Sequence, residues 1–343
     1  MAYTTINKSS DYFNTKLYTG NGSTNAISGV GFAPDMCWWK MRSGTEEHAL
    51  GDAVRTAGYI VKPNSTDAQA QSASYFSSFD SDGFTLGSDT KTNGNGSTYA
   101  SWNWKANGAG SSNTDGSVTS TVSVSTTSGF SICKFDATGS TMTFGHGLGV
   151  KPAVMLIKRT DSNSNGNWIV YHKNVGATKF LTLNATTAET TSSTRFGDTE
   201  PTSSVATVGS ELLSGGTYIA YCFAEKTGFS SMGSYTGNGN ADGSFIYTGF
   251  KPAFVLIKDS GRSESWYIFD NRRLGYNGAM ADFLANTTAA ESSSSATLLD
   301  LVSNGFKLRG TTDHLNGSGQ NFIFMAFAEA PLVGSNNIPA TAR

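Results

Sequence analysis

The sequence predicts an all-β protein, and three observations carry that prediction. Charged residues make up only 15% of the 343-residue chain, against about 25% in an ordinary globular domain. Glycine is abundant at 39 residues, with Ser and Thr plentiful throughout, which suits short strands joined by tight turns. Aromatic residues reach 12%, too many for a disordered chain.

The elements recur in one order. A stretch ending YTGNG (18–22) returns at 235–239, with FDATG (135–139) in the same place. Each of these predicts an opening strand and its turn. Next comes Gly-x-x-Pro, an apolar run and a Lys: GFAPDMCWWK (31–40), GVKPAVMLIK (149–158) and GFKPAFVLIK (249–258). Proline is tolerated at a strand's start, and an apolar run on both faces predicts a central strand covered on each side. WIVYHKN (168–174) and WYIFDNRR (266–273) follow it as a further strand. PNSTDAQ (63–69), LNATTAE (183–189) and ANTTAAE (285–291) share an Asn-x-Thr-x-Ala pattern, which predicts a short helix or a turn. From the proline to the motif's Asn the separations are 30, 32 and 34 residues. SDGFTLG (81–87) matches SNGFKLR (303–309), and the closing strands are TYASWNWKA (98–106), TYIAYCFAE (217–225) and NFIFMAFAE (321–329).

Side chains alternate along a strand. One face of the closing strand is large (Trp102 and Trp104; Ile219, Tyr221 and Phe223; Ile323, Met325 and Phe327) and the other mostly small. The expected architecture is therefore three tandem homologous β-sandwich modules of about 100 residues each. They cover residues 1–108, 109–227 and 228–334, with a C-terminal tail at 335–343. ANGAGSSNTDGS, near 108, reads as a linker opening the second module. The junction near 227 is abrupt, so modules two and three should abut while module one sits more freely.

The bulk chemistry excludes several function classes. A formal charge of −2 with no Lys/Arg stripe argues against a nucleic-acid partner, since nothing would displace counterions from phosphates. No run approaches 18 apolar residues and no signal peptide is expected, so membrane insertion is not foreseen. Cys37, Cys133 and Cys222 have no ligand spacing and read as reduced, buried thiols.

Candidate sites follow from the alignment of the repeats. Trp38, Trp39, Trp102 and Trp104 fall at positions apolar in every copy and read as core. Trp168 and Trp266 align with His48 and read the same way. Asp52, His172 and Asp270 share one slot near a strand end, and Arg55 and Arg273 follow the two aspartates by three positions. These three are candidate binding residues at a module rim, with a local Asp–Arg pair bracing an exposed turn as the simpler reading. Asp161-Ser162-Asn163-Ser164-Asn165-Gly166 matches the first half of a calcium loop, but His172 stands where the bidentate Glu belongs; no metal and no cofactor are expected. No GxSxG or HExxH is present, and no catalytic residue is assigned. The stretches where the repeats disagree are 43–60, 160–167, 174–180, 259–264, 274–281 and 310–318, loops of the kind that carry binding. Tyr59, Tyr75, Tyr267 and Tyr276, in or near them, complete the candidate binding set.

The strings YTGNG, GFAPDMCWWKMRSGTEEHALGDAVR, SSNTDGSVTSTVSVSTTSGFSI, GLGVKPAVMLIK, TYIAYCFAE and IPATAR resemble a family of uncharacterised marine tailed-phage proteins, including those of cyanobacterial phages. The resemblance runs from about Tyr12 to Arg343. It implies a virion structural protein of the tail-fibre or adhesin kind, made in the host cytoplasm and carried on the virion. The partners it implies are other virion proteins and a host cell-surface glycan or protein. It also implies a homo-oligomer, with a trimer as one option. A capsid-decorating or tail-assembly component is the alternative.

Overall fold

A computed structural model describes residues 4–212, 215–273, 281–292 and 298–331. The fold is all-β. Its two α-helices among the described residues are single turns, Thr90–Asn93 and Asp313–Asn316.

Each segment builds a main sheet from four strands in one order. In segment one the opening strand Phe13–Thr19 pairs with the closing strand Thr98–Trp104. That strand pairs with the proline strand Met36–Met41, which pairs with a fourth strand, Ala49–Asp52. Segment two repeats the order with Phe130–Asp136, Thr217–Phe223, Val154–Arg159 and Ile169–His172. Segment three repeats it with Ser230–Thr236, Asn321–Pro331, Phe250–Asp259 and Trp266–Asp270. All these pairings are antiparallel. The proline strand is buried on both faces, which is why its apolar run has no polar alternation.

A smaller sheet covers one face of each main sheet, giving two layers per segment. In segment one it comprises Asn25–Ser28, Gly83–Leu86 and Phe76–Asp80. Met142–Gly145 and Val205–Val208 form it in segment two. Segment three uses Phe245–Tyr247, Gly305–Leu308 and Leu299–Val302. Between the layers lie separate cores: Trp39, Phe76 and Phe84 in the first segment, Phe135, Phe144 and Tyr171 in the second, Val255, Phe306 and Phe324 in the third. The small residues of the closing strand, such as Ala220, Cys222 and Ala326, face these inner cores, where the covering sheet lies close.

The large face of each closing strand does something the sequence left open. Trp102, Trp104, Tyr221, Phe223, Met325 and Phe327 all belong to one further core, shared by the three segments. Trp104, Phe223 and Phe327 occupy the same strand position and touch one another, with ring centroids 6.2, 5.8 and 5.6 Å apart. The three main sheets therefore face a common centre, and the segments are arranged about it rather than strung out. Segment one does not sit more freely: Phe13 stacks on Phe327 at 5.2 Å and packs edge-on to Phe254 at 5.8 Å.

Of the helix or turn expected at one motif the turn forms, and the linker expectation is corrected. The Asn-x-Thr-x-Ala motif forms turns, with no helix. The presumed linker is built in: Ser111–Asn113 pairs with Ser120–Ser125, which extends the second main sheet beyond its opening strand.

Candidate functional site

The chemistry-bearing residues aligned by the repeat converge on the seams between segments. Asp52, His172 and Asp270 sit at the same register, opposite Met36, Val154 and Phe254. Each reaches the closing strand of the next segment. Asp52 Oδ2 accepts from Tyr221 Oη at 2.7 Å and from Arg55 Nε at 2.6 Å. Asp270 Oδ2 accepts from Trp102 Nε1 at 3.0 Å and from Arg273 Nε at 2.6 Å. His172 takes the Asn174 backbone N–H on Nδ1, so Nε2 carries the proton and donates to the Phe324 carbonyl at 3.2 Å.

The variation among the three has a physical reason. Tyr221 and Trp102 each bring a donor to the seam, so the facing residue is an acceptor with an arginine three positions on. The equivalent of those two residues in segment three is Met325, which has no such donor, so its partner is a histidine that donates to a backbone carbonyl. Val175 stands where the arginine would be. Burial opposes ionisation of Asp270, but the Arg273 guanidinium and its hydrogen bonds hold the carboxyl below its usual range. Burial pushes His172 down to about 4 and raises the Tyr221 phenol well above its ordinary value.

A second row of contacts repeats more uniformly. Trp168 Nε1 donates to the Lys62 carbonyl at 2.8 Å, and Trp266 Nε1 to the Thr182 carbonyl at 2.9 Å. His48 Nε2 lies 3.2 Å from the Leu284 carbonyl. These carbonyls stand two residues before the motif asparagines. The asparagines in turn accept the backbone N–H of His48, Trp168 and Trp266 at 2.9, 2.7 and 2.9 Å. Five residues after each Asn, the backbone N–H of Gln69, Glu189 and Glu291 donates to Thr160, Ser260 and Arg42 at 2.8, 2.7 and 3.1 Å. The motif thus ties segment one to two, two to three and three to one. The chain closes into a ring.

The lysine next to the end of each proline strand bonds backbone carbonyls, across a seam for Lys40 and Lys158 and within its own segment for Lys258. Lys40 Nζ donates to the Met41 and Thr288 carbonyls at 3.1 and 3.2 Å. Lys158 Nζ donates to Thr66 at 2.9 Å and also to the Gly166 carbonyl. Lys258 Nζ bonds Asp259 and Arg262 carbonyls at 2.5 and 2.9 Å. All three side chains are buried, and burial lowers each ammonium to about 8.

Asp52, His172 and Asp270 are 0, 2 and 1% exposed, so none lies on an open rim and neither Asp–Arg pair is a surface brace. Each ends the fourth strand of its main sheet, and the closing strand of the next segment covers it there, which explains the burial. Tyr59, Tyr75 and Tyr267 are half-buried. Tyr75 packs against the inner core of segment one, and Tyr267 stacks on His314 at 4.7 Å. Tyr267 and His314 line an open cleft of about 490 Å³ with Asp282, Leu284 and Thr312. Tyr276 lies outside the described residues.

The half calcium loop is occupied by protein contacts. Arg159 holds the Asp161 carboxylate at 2.8 Å, and Asn163 Oδ1 takes the Ala68 N–H at 2.6 Å. Among the described residues no group of three or more His, Cys, Asp or Glu is placed to hold a metal. Cys37, Cys133 and Cys222 are buried and free, and no described helix is long and apolar enough to cross a membrane.

Sequence reasoning aligned the right slots but missed that their partners lie in other segments. The signal was present: Asp accompanies Trp or Tyr, and His accompanies Met, one segment further on. A family model described as "Domain of unknown function (DUF7483)" matches residues 8–331, and the chain belongs to that family. No curated protein matches the chain, and no solved structure does.

Proposed function

We propose that this protein is a structural protein of a tailed-phage virion, a tail-fibre or adhesin subunit that meets the host surface through its exposed inter-strand loops. The observation that supports this reading best is where the polar groups go. The buried Asp, Arg, His, Trp and Lys side chains of the seams bond to one another and to backbone carbonyls. This is chemistry that braces a body rather than chemistry poised for a substrate. A braced all-β ring that needs no disulfides suits a part folded in a reducing cytoplasm before it works outside the cell. Weak surface contacts on many copies of such a part would add up to useful avidity.

The ring narrows where recognition belongs. The loops at 43–60, 160–167 and 259–264 are tethered to neighbouring segments through Glu46, Asn163 and Ser263, and 274–280 lies outside the described residues, leaving 174–180 and 310–318 as better candidates. The threefold arrangement expected of a homotrimer is already supplied within one chain. The test is direct: fluorescently labelled full-length protein is mixed with host cells, with and without competing host polysaccharide. Saturable binding that the polysaccharide reduces supports a glycan-binding adhesin. Absence of binding, with the protein imaged on the capsid or inside the tail, overturns it.

One observation favours the second reading, a capsid-decorating or assembly component. Among the described residues, the third segment leaves a strand edge open beside two exposed aromatic rings.

A further inference from the structure

The exposed large hydrophobic residues among those described are Val150, Phe245 and Tyr247, at 42, 47 and 62%. Two of the three share one three-residue strand, on either side of Ile246, which is buried in the segment's inner core. That strand pairs with Gly305–Leu308 on one side and, among the described residues, ends its sheet on the other. Leu308 N donates to Ser244 O at 3.1 Å and Thr248 N to Asn304 O at 3.0 Å. In an antiparallel ladder the bonded residues alternate. The even-numbered residues therefore face the partner strand, and the N–H and C=O groups of Phe245 and Tyr247 point out of the sheet.

Segment two shows what such an edge takes. There Phe144 holds the place of Ile246, each paired with the second residue of its partner strand, Ala206 and Phe306. Thr143 is thus the counterpart of Phe245. Its outer edge is covered by the extended stretch Gly116-Ser117-Val118-Thr119-Ser120. Val118 N donates to Thr143 O at 3.1 Å, and Val118 bridges Phe144 in parallel. Thr143 N donates to Ser117 Oγ at 2.9 Å, Ser117 N to Thr143 Oγ1 at 2.8 Å, and Ser120 Oγ to Gly145 O at 2.8 Å. Gly116 is needed for the approach, because a Cβ there would lie 2.4 Å from Thr143 O. In segment one the counterparts of Phe245 and Tyr247 are Ala26 and Ser28, small residues that offer a strand little to grip.

We propose that the outer edge of Phe245–Tyr247 is a strand-accepting site. Its occupant is an extended Gly/Ser/Thr-rich arm of a different protein, not of a second copy, carrying a β-branched residue as 116–120 does. The arm adds as a parallel strand, its backbone pairing with Phe245 and Tyr247. The two rings flank it, giving apolar contact that the small residues of segment one lack. A free, hydrophobic edge is otherwise a standing aggregation hazard, which an assembly partner would remove. The site is independent of the host-binding reading and holds for any assembly that supplies such an arm.

The test uses the full chain and a fluorescein-labelled peptide copying residues 113–121, followed by fluorescence anisotropy. Saturable binding below about 1 mM is expected. Methylating the peptide nitrogen equivalent to Val118 N should weaken it about tenfold, since one backbone donor is lost. Tyr247→Pro should weaken it similarly, because that N–H points away from the existing ladder and its loss leaves the sheet intact. The double variant F245A/Y247S, which imitates segment one, should also bind more weakly while its circular dichroism stays unchanged. No binding, or binding indifferent to both the methyl group and Tyr247→Pro, overturns the proposal. So does slow hydrogen exchange at the Phe245 and Tyr247 amides of the dilute chain that is lost on deleting residues 332–343, since the chain's own tail would then be the occupant. Protection that grows with protein concentration would name a second copy instead and equally overturn it.

Discussion

The seam that joins segment three back to segment one differs from the seam between two and three, although both use the same backbone contacts. At the three-to-one seam Asp270 is gripped by Arg273 and Trp102, and Arg42 holds Glu291 with two bonds of 2.6 and 3.1 Å. Arg273 also lies over the Phe283 ring at 4.4 Å. At the two-to-three seam the corresponding side chain is the neutral His172, and the neighbouring wall of Val154, Leu256, Trp266 and Met325 is apolar. Segments two and three are consecutive in the chain; three and one are joined only by folding. The comparison teaches that the Asn-x-Thr-x-Ala turn sets the geometry of every seam. The side chains then supply whatever donors the facing closing strand requires, and the most heavily ionic set lies where no peptide link helps.

The comparison is broken or sharpened by substitution. The largest effect is expected for Asp270→Ala, which strands a buried guanidinium and an indole N–H. Urea unfolding should show a loss of about 3–5 kcal/mol, against about 1–2 kcal/mol for His172→Ala, which takes the ring from the Phe324 carbonyl and the Asn174 N–H. Equal losses would mean that the two seams are held alike. His172→Asp should cost about 3 kcal/mol or more, because a buried carboxylate would face Met325 with no arginine. Adding Val175→Arg and Met325→Tyr should recover part of that loss; no recovery would contradict the pairing rule. Trp168→Phe and Trp266→Phe each remove one neutral hydrogen bond and should cost about 1 kcal/mol apiece, with little difference between their seams.

The pH dependence has two windows. Lys40, Lys158 and Lys258 have folded values lowered to about 8, below the ordinary lysine value near 10.4. Between those limits the unfolded chain binds more protons, so stability should rise with pH from about 8 to about 10.4. Lys158→Met should flatten that rise in denaturation midpoints taken across the window. His172 is lowered to about 4, so its contribution is complete above about 6.5 and is lost as pH falls toward 4.

Much of the fold was legible because strand chemistry is local. The two-sided apolar run after each proline marked a central strand, and alternation in TYIAYCFAE separated its large face from its small one. Alternation reports that Tyr221 and Phe223 are buried, but not against what. The ring was therefore invisible: their partners belong to other segments, and the contact spans more than a hundred residues of chain, as between Tyr221 and Asp52. The local spacing of Asp270 and Arg273 pointed to a surface turn, whereas the pair is buried because Trp102 arrives from a distant strand. The Asn-x-Thr-x-Ala motif resembled a helix start. Its asparagine instead accepts a backbone N–H and the residue after its alanine bonds the next segment, so tertiary contacts override the local preference. The role of residues 113–118 was hidden by a composition that reads as linker, and only the pairing with Thr143 reveals it.

Hydrogen exchange in rising denaturant tests ring closure most directly, read on the closing strands Thr98–Trp104, Thr217–Phe223 and Asn321–Pro331. A shared core and three mutual seams predict that all three strands lose protection at the same denaturant concentration, as one cooperative unit. Release of Thr98–Trp104 well before the other two would show that segment one folds as a separate bead, and would contradict the account.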